Sequence, residues 1–492
     1  MLSKEELRKL DKEELVNLTF DLFAICENLT TQVKELQKEV KELQKEVHEL
    51  KEEVKRLKVP KNSSNSSLAP SQDLYKLRNQ SLREKSTKKT GGQFGHKGAT
   101  LLMSINPNEI IEHLPDGKCP KCGKNHSVEL SRLAEKRQVI DIPIIKASVI
   151  EHQIFESVCS CGYIRTGSFP VNVTAPVQYG NNVIAFVAYL STRQYIPYSR
   201  LSELVKSFTN ISMSQGTVYN LLNKAADIVL PIYNGIKSEV ENANTVGGDE
   251  TGVKVKNEQY WAWTWQTILA TFIVIVKSRG FQTINAIFPN GFPNSVYVSD
   301  SLSAQLKTVA KYHQLCLAHL LRELKYFNDI SPHNWVNEMK ALLIRAILLK
   351  KSMTLEQYSQ PLKERTDILE DFKILINFEL PDKTSKILPF QKRLKKRHDQ
   401  VFNFLFYPDV PYDNNGSERA IRNIKVKQKV SGSFRSERGA EMFAILRSVF
   451  DTHIKNGVNP FGTLQFAINL ANQKKEFLAN RLILKKEIRL LN

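Results

Sequence analysis

"TVGGDETGVKV" (245–255) opens a series of strand-length segments that continues with "YWAWTWQT" (260–267), "FIVIVKS" (272–278) and "SVYVSD" (295–300). The second alternates strictly, which sets Trp261, Trp263 and Trp265 on one face of a strand. The third is an apolar run of the kind a buried strand carries. Asp249 is expected to end the first strand, between Gly248 and Glu250-Thr251-Gly252, and Asp300 ends the last. Strand ends are where α/β folds hold functional groups, on loops that are fixed yet open to solvent. From about 303 to 407 helical periodicity dominates, as in "VNEMKALLIRAILLKK" and "PFQKRLKKRHDQVFNFLF". Three adjacent strands, a short helical link, a fourth strand and then helices predict a mixed α/β domain over 241–440, with a helical insertion at about 325–407.

Two hard carboxylates at neighbouring strand ends, joined by a third, suit a pair of Mg²⁺ ions. A lone aspartate at either place is more simply a turn or cap residue. A third acid stands in "DNNGSERAIRNIKVKQKVSG" (413–432). In a helix starting near Asn415, Glu418, Arg422, Lys425 and Lys429 share one face. Two roles fit Glu418. Asn415-Gly-Ser-Glu418 matches a capping box with Glu418 at N3, and the same glutamate could equally be the third acid beside a phosphate-binding row. In "HQLCLAHLLREL" (313–324), Cys316, His319 and Arg322 lie within two turns. Two metal-binding types alone do not make a site, and a buried cysteine beside a satisfied histidine is the simpler reading.

The rest of the chain frames this domain. Its 70 Lys+Arg against 51 Asp+Glu give a formal charge of +19, which favours a polyanionic partner, nucleic acid first. The charged N-terminus, the lack of any apolar run of about 18 residues and only six cysteines point to a cytoplasmic protein without a membrane span or disulfide scaffold. Residues 1–58 read as a coiled-coil helix, with Val33, Val40, Val47 and Val54 at a and Leu36, Leu43, Leu50 and Leu57 at d. That pattern favours a parallel two-stranded coil, hence a dimer or higher oligomer. Residues 59–100 form a polar, then basic, linker arm. Within 101–170, Cys119-Pro-Lys-Cys122-Gly and Cys159-Ser-Cys161-Gly supply four sulfurs for tetrahedral Zn²⁺, with His113, His126 and His152 as alternative ligands. Within 171–240, "YIPYSRLSELVKSFTNISMSQGTVYNLLNKAADIVLP" (195–231) reads as helix, turn, helix, with Ser214 as N-cap and Thr217, Tyr219, Asn220 and Lys224 as polar side chains. It suits a DNA-reading helix-turn-helix and any other packed helix pair alike. Residues 441–492 are expected to be helical.

"KNSSNSSLAPSQD", "GGQFGHKGATL", the paired cysteines, "GGDETGVKV", "YVSDSLSAQ", "QLCLAHLLREL" and "YDNNGSERAIRNIKVKQKVSGSF" with "GVNPFGTL" follow one another in order. In this ordered set the chain resembles, over nearly its full length, the DDE transposases of bacterial insertion sequence family 66. The resemblance implies a multidomain α/β plus α protein with an RNase H-like catalytic domain. Its metal-binding acidic triad falls on Asp249, Asp300 and Glu418, with Mg²⁺ or Mn²⁺ as cofactor. It implies a Zn²⁺ site on Cys119, Cys122, Cys159 and Cys161, although the second pair is C-x-C where C-x-x-C is commoner. It assigns His319 and Arg322 to the DNA or the active site, beside a cationic helix face of Arg419, Arg422, Lys425 and Lys429. The partners implied are element-end and target DNA, a second copy and accessory proteins of the same element, in the bacterial cytoplasm near the nucleoid. The alternative is a transposase remnant that binds DNA without cutting it.

Overall fold

The computed structural model describes residues 11–58, 101–114, 118–124, 132–142, 146–170, 173–381 and 386–472. The linker arm of 59–100, His126 and the last 20 residues of the expected C-terminal helical region lie outside the described residues. The chain divides into two compact units: Met1–Asn79, Val229–Thr463 and Phe477–Asn492 form one, and Gln80–Ile228 with Leu464–Glu476 the other.

Helix α1 (Lys12–Lys58) runs unbroken for 47 residues. Val33, Leu36, Val40, Leu43, Val47, Leu50 and Val54 are all exposed along it, so among the described residues nothing covers the valine and leucine seam.

In the second unit, β1 (Glu156–Val158) and β2 (Ile164–Thr166) form an antiparallel hairpin. Helices α2 (Asn181–Thr192) and α3 (Tyr198–Thr209) follow, and α3 stops at Asn210 in the left-handed conformation (φ 58°). Ser214 then caps α4 (Gln215–Glu241), which belongs to this unit as far as Ile228, its hydroxyl accepting from the Thr217 N–H at 3.0 Å. Val218, Leu221, Leu222, Ala225 and Ala226 are buried, while Asn220 and Lys224 are exposed. The helix pair predicted over 195–231 is therefore present. The second helix, however, runs through Pro231 to Glu241: Pro231 forfeits one backbone hydrogen bond without ending it.

The other unit is built on β3 (Thr245–Val255), β4 (Glu258–Gln266), β5 (Thr271–Val276), α5 (Phe281–Ile287), β6 (Phe292–Ser299), α6 (Ser303–Leu306) and β7 (Ala310–Leu315). Their order in the sheet is β5-β4-β3-β6-β7. Strands β3, β4 and β5 pair antiparallel, and β6 and β7 join parallel to β3. Lys256 and Asn257, at φ 51° and 66°, make the two-residue β3–β4 turn, whose positive angles match strand twist. One face of the sheet is aromatic: the Trp263 and Trp265 rings stack at 5.6 Å, with Phe272, Phe288, Phe292 and Tyr297 around them. Trp263 and Trp265 of the predicted tryptophan face are buried and Trp261 partly so, while Ala262 and Thr264 on the opposite face are buried as well.

Strand β7 corrects the expectation of helix from 303 onward. The helices then come as α7 (Leu317–Ile330), α8 (Asn334–Ser352), α9 (Lys363–Asn377) and α10 (Ile387–Lys396). They pack a core around Trp335, Met339, Leu343, Phe372, Phe390 and Phe402 that is continuous with Val296, Val298 and Leu315 of the sheet. Helices α11 (Asn415–Ser431) and α12 (Glu437–Lys455) return to the sheet, and α13 (Pro460–Asn472) closes the described chain.

Candidate active site

Backbone register alone brings the two aspartates together. Gly247 of β3 pairs with Val298 of β6 in parallel. Asp249 lies two residues beyond the first and Asp300 two beyond the second, so both project from neighbouring strands on the same side. The expectation that Asp249 ends its strand is corrected: β3 continues six residues past it, paired with β4 and, at Val255, bridged to Phe434. Parallel pairing with β6 is what stops near Asp249, and this opens space beside its side chain.

Helix α11 is pinned to the same place. Asn414 donates from Nδ2 to the Gly248 carbonyl at 2.7 Å and takes the Ser417 hydroxyl at 2.7 Å. A Cβ on Gly416 would stand 2.0 Å from Gln266 Nε2, so glycine lets the helix start lie close to β4. These contacts set Glu418 one turn into α11, facing α7. There Arg322 donates from Nη2 to Glu418 Oε1 at 3.0 Å, while Arg422 Nη2 stands 3.7 Å from Oε2. The capping-box reading of Glu418 is corrected: the N-cap is Asn414, without a side-chain cap bond, and the glutamate pairs with arginine.

Helix α7 supplies the next contacts. His319 Nδ1 is 2.9 Å from Asp300 Oδ1 and 3.4 Å from Arg322 Nη2. Burial works against an imidazolium at His319, and the Asp300 carboxylate overrides it, pushing His319 up to about 11. Asp249 is raised well above the usual carboxylate range, first by burial, then by Asp300 and Glu250. Its oxygen accepts from the Glu250 N–H at 2.8 Å, and no cationic side chain pairs with it among the described residues.

Glu250 was not singled out from the sequence. Its side chain is 5% exposed and accepts from Arg279 at 2.6 Å and Gln305 at 3.0 Å. Burial raises it and Arg279 opposes the rise. The "DE" pair in GGDETG was the available signal, since adjacent strand residues project to opposite faces. Cys316 is buried, as expected, and accepts at Sγ from the Asn414 N–H at 3.2 Å.

The predicted cationic row is split. Arg419, Arg422 and Lys429 are exposed. Lys425 is half-buried and donates to the Gly252 carbonyl, with its ammonium disfavoured by burial; the groove between α11 and β3 takes it away from solvent. The cysteine pairs each form a tight turn closed by glycine at positive φ, 66° at Gly123 and 85° at Gly162. Backbone N–H groups lower the Cys119 and Cys159 thiols. Among the described residues, the group of three or more ligand types within 4.8 Å of one another is Asp300, Cys316 and His319; the two cysteine pairs do not converge.

The acids fit a hard divalent cation by their chemistry. Asp300 Oδ1 is buried, with His319 Nδ1 at 2.9 Å. Asp249 stands beside it without an ion-paired cationic side chain among the described residues. Oxygen donors of this kind are what Mg²⁺ or Mn²⁺ takes.

The fold and site therefore define an α/β protein with carboxylates gathered where two central parallel strands part. Residues 176–442, more than half of the chain, match the transposase IS66 family, and the chain belongs to that family. Residues 8–101 match a second family, described as a family of unknown function (DUF6444). No curated protein matches the chain. A transposase has DNA as its partner. Among the described residues no helix is long and apolar enough to cross a membrane.

Proposed function

We propose that this transposase cuts DNA at the ends of its element and joins them to target DNA, with Asp249, Asp300 and Glu418 as the metal-binding acids of an RNase H-like domain. The carrying observation is Asp249: a carboxylate raised first by burial, then by Asp300 and Glu250, and without an ion-paired cationic side chain among the described residues. The strand order β5-β4-β3-β6-β7, with β4 antiparallel between its neighbours, supports the RNase H-like reading. A divalent cation pair held there supplies an activated attacking hydroxyl and a stabilised leaving oxygen. The chain's own residues do the rest. His319 holds Asp300 in orientation, Arg322 holds Glu418 at Oε1, and the exposed Arg419, Arg422 and Lys429 grip phosphates along α11. Transfer needs no covalent enzyme intermediate, since the DNA 3′-hydroxyl itself attacks.

The exposed seam of α1 supports pairing of two copies, which holds both element ends. The helix pair of α3 and α4 and the cysteine turns are proposed to read those ends, with Zn²⁺ drawing Cys119, Cys122, Cys159 and Cys161 together. The test is Mg²⁺- or Mn²⁺-dependent nicking of labelled DNA carrying the terminal repeat, with Glu418→Gln beside wild type. Boundary nicking by wild type alone supports the reading. Binding without nicking by either protein favours the non-cutting remnant, and equal nicking by both removes Glu418 from the chemistry.

A further inference from the structure

Cys316 caps the N-terminus of α7 and His319 follows one turn later, both facing Asp300 at the end of β6. One donor atom from each lies within 4.8 Å of the others. We propose that Asp300, Cys316 and His319 form a site for a borderline-soft divalent cation of the Zn²⁺ class, chemically distinct from an all-oxygen site for Mg²⁺.

The donor set carries the argument. Sulfur, imidazole nitrogen and one carboxylate oxygen make a three-ligand tetrahedral zinc set that leaves a fourth position open. Mg²⁺ keeps to oxygen and near-octahedral geometry, so a cysteine in the set selects against it. Zinc bonds of about 2.0–2.3 Å put tetrahedral ligands roughly 3.3–3.8 Å apart, so donors within 4.8 Å need to close by about 1.5 Å at most. They are also prepared for it. Cys316 is 2% exposed and its sulfur already accepts the Asn414 N–H at 3.2 Å, which fixes the sulfur toward the site. Asp300 Oδ1 is buried as well. His319 is 12% exposed along its side chain. On binding, the Cys316 S–H and the Nδ1–H of His319 release their protons to solvent as the metal–sulfur and metal–nitrogen bonds form.

Asp300 is shared with the acids of the proposed nuclease site. On that reading, Zn²⁺ here withdraws a carboxylate from Mg²⁺ and holds the transposase inactive; the site itself does not depend on that reading.

The test uses the full-length chain with Cys119, Cys122, Cys159 and Cys161 changed to serine, stripped by chelator and titrated with Co²⁺. One equivalent should bring up a sulfur-to-cobalt charge-transfer band, bleached by added Zn²⁺ and absent after Cys316→Ala. Asp300→Asn and His319→Ala should each weaken Co²⁺ binding at least about tenfold. No band at saturating Co²⁺, or a band that survives Cys316→Ala, overturns the site. Should Cys316→Ala lose its far-ultraviolet circular dichroism, the other two variants decide, and unchanged affinity in both overturns it. Zn²⁺ suppression of Mg²⁺-dependent nicking, lost in the Cys316→Ala chain, supports the shared Asp300. An intact band with unaffected nicking keeps the metal site and removes only its link to cutting.

Discussion

Gly248→Ala tests whether close packing beside Asp249 sets the site. A Cβ at Gly248 would stand 2.2 Å from Tyr297 Oη, 2.6 Å from Cε2 and 2.7 Å from Cζ. Tyr297 cannot easily yield. It is fully buried, its ring packs on Phe292 at 5.0 Å, and its hydroxyl accepts the Trp265 indole N–H at 3.2 Å. Overpacking of this kind costs about 1–3 kcal/mol. Tilting the ring strands a buried indole N–H at about 1–3 kcal/mol more, so the expected loss is roughly 3 kcal/mol. Tyr297→Phe removes the worst contact but leaves two ring carbons under 3.0 Å. The double variant should therefore recover about 1 kcal/mol against the sum of the singles. Urea unfolding followed by tryptophan fluorescence reads this directly, because Trp261, Trp263 and Trp265 all sit on β4 beside the mutation. With slopes of about 1–3 kcal/mol/M, the midpoint should fall by about 1 M or more. Nicking should drop about a hundredfold if Asp249 moves by an ångström. A Gly248→Ala chain within about 0.5 kcal/mol of wild type would refute the reasoning, since β3 and Tyr297 would then have room to spare.

Asp249→Asn should stabilise the chelator-treated chain by about 0.5–2 kcal/mol, read by the same unfolding, while added Mg²⁺ should stabilise wild type only. The sign with pH follows: a carboxyl raised in the fold binds more protons than its unfolded form, so stability falls as pH rises from the ordinary carboxylate range to the folded value. Asp249→Asn should flatten that slope, and an unchanged slope would assign it elsewhere. Arg322→Ala leaves Glu418, 23% exposed, with only the solvent-facing Arg422 at 3.7 Å. The expected cost is about 1–3 kcal/mol after discounting the buried-pair figure for exposure, together with loss of nicking; retention of both would make the pair ornamental. Replacing Arg422 and Lys429 by alanine should reduce the slope of log affinity against log salt by about 1.8. Lys425→Ala should change stability more than that slope, because its ammonium is bonded to Gly252; equal slope changes would contradict that placement.

The sequence discloses the parts whose pattern is set by apolar periodicity and hides those set by polar side chains. The tryptophan alternation of β4 and the apolar β5 and β6 are legible because burial selects their residues. Strand β7, "AKYHQL", is not. Its buried Gln314 is held by polar bonds, donating to the Val401 carbonyl and accepting the Phe404 N–H, and no periodicity records such a contact. Asp249 and Asp300 could be picked out as strand aspartates, but their adjacency depends on the β3–β6 register, which spans some 50 residues. Lys425 shows the opposite failure. Helical spacing groups it with Arg422 and Lys429, yet the approach of α11 to β3 turns it inward.

Charge pairing separates the four acids. Glu250 has Arg279, Asp300 has His319, and Glu418 has Arg322, whereas Asp249 has only a backbone N–H. Two like charges at about 4 Å repel by roughly 4 kcal/mol at an effective dielectric near 20. The Asp300 charge raises Asp249 in this way, and a proton or a bound cation at Asp249 relieves it. Each cation that serves one of the other acids also fixes its geometry: Arg322 binds Glu418 and lies against His319, which holds Asp300. One helix, α7, thus sets two of the three proposed metal-binding carboxylates from the side, and the β3 backbone sets the third. The acid left without a cationic partner is the one inside a paired strand, β3. Neutralising it with a bound cation would require no rearrangement of its strand, while Glu418 would have to share or exchange Arg322. A metal is therefore expected to engage Asp249 and Asp300 first, and Glu418 only as the Arg322 contact gives way.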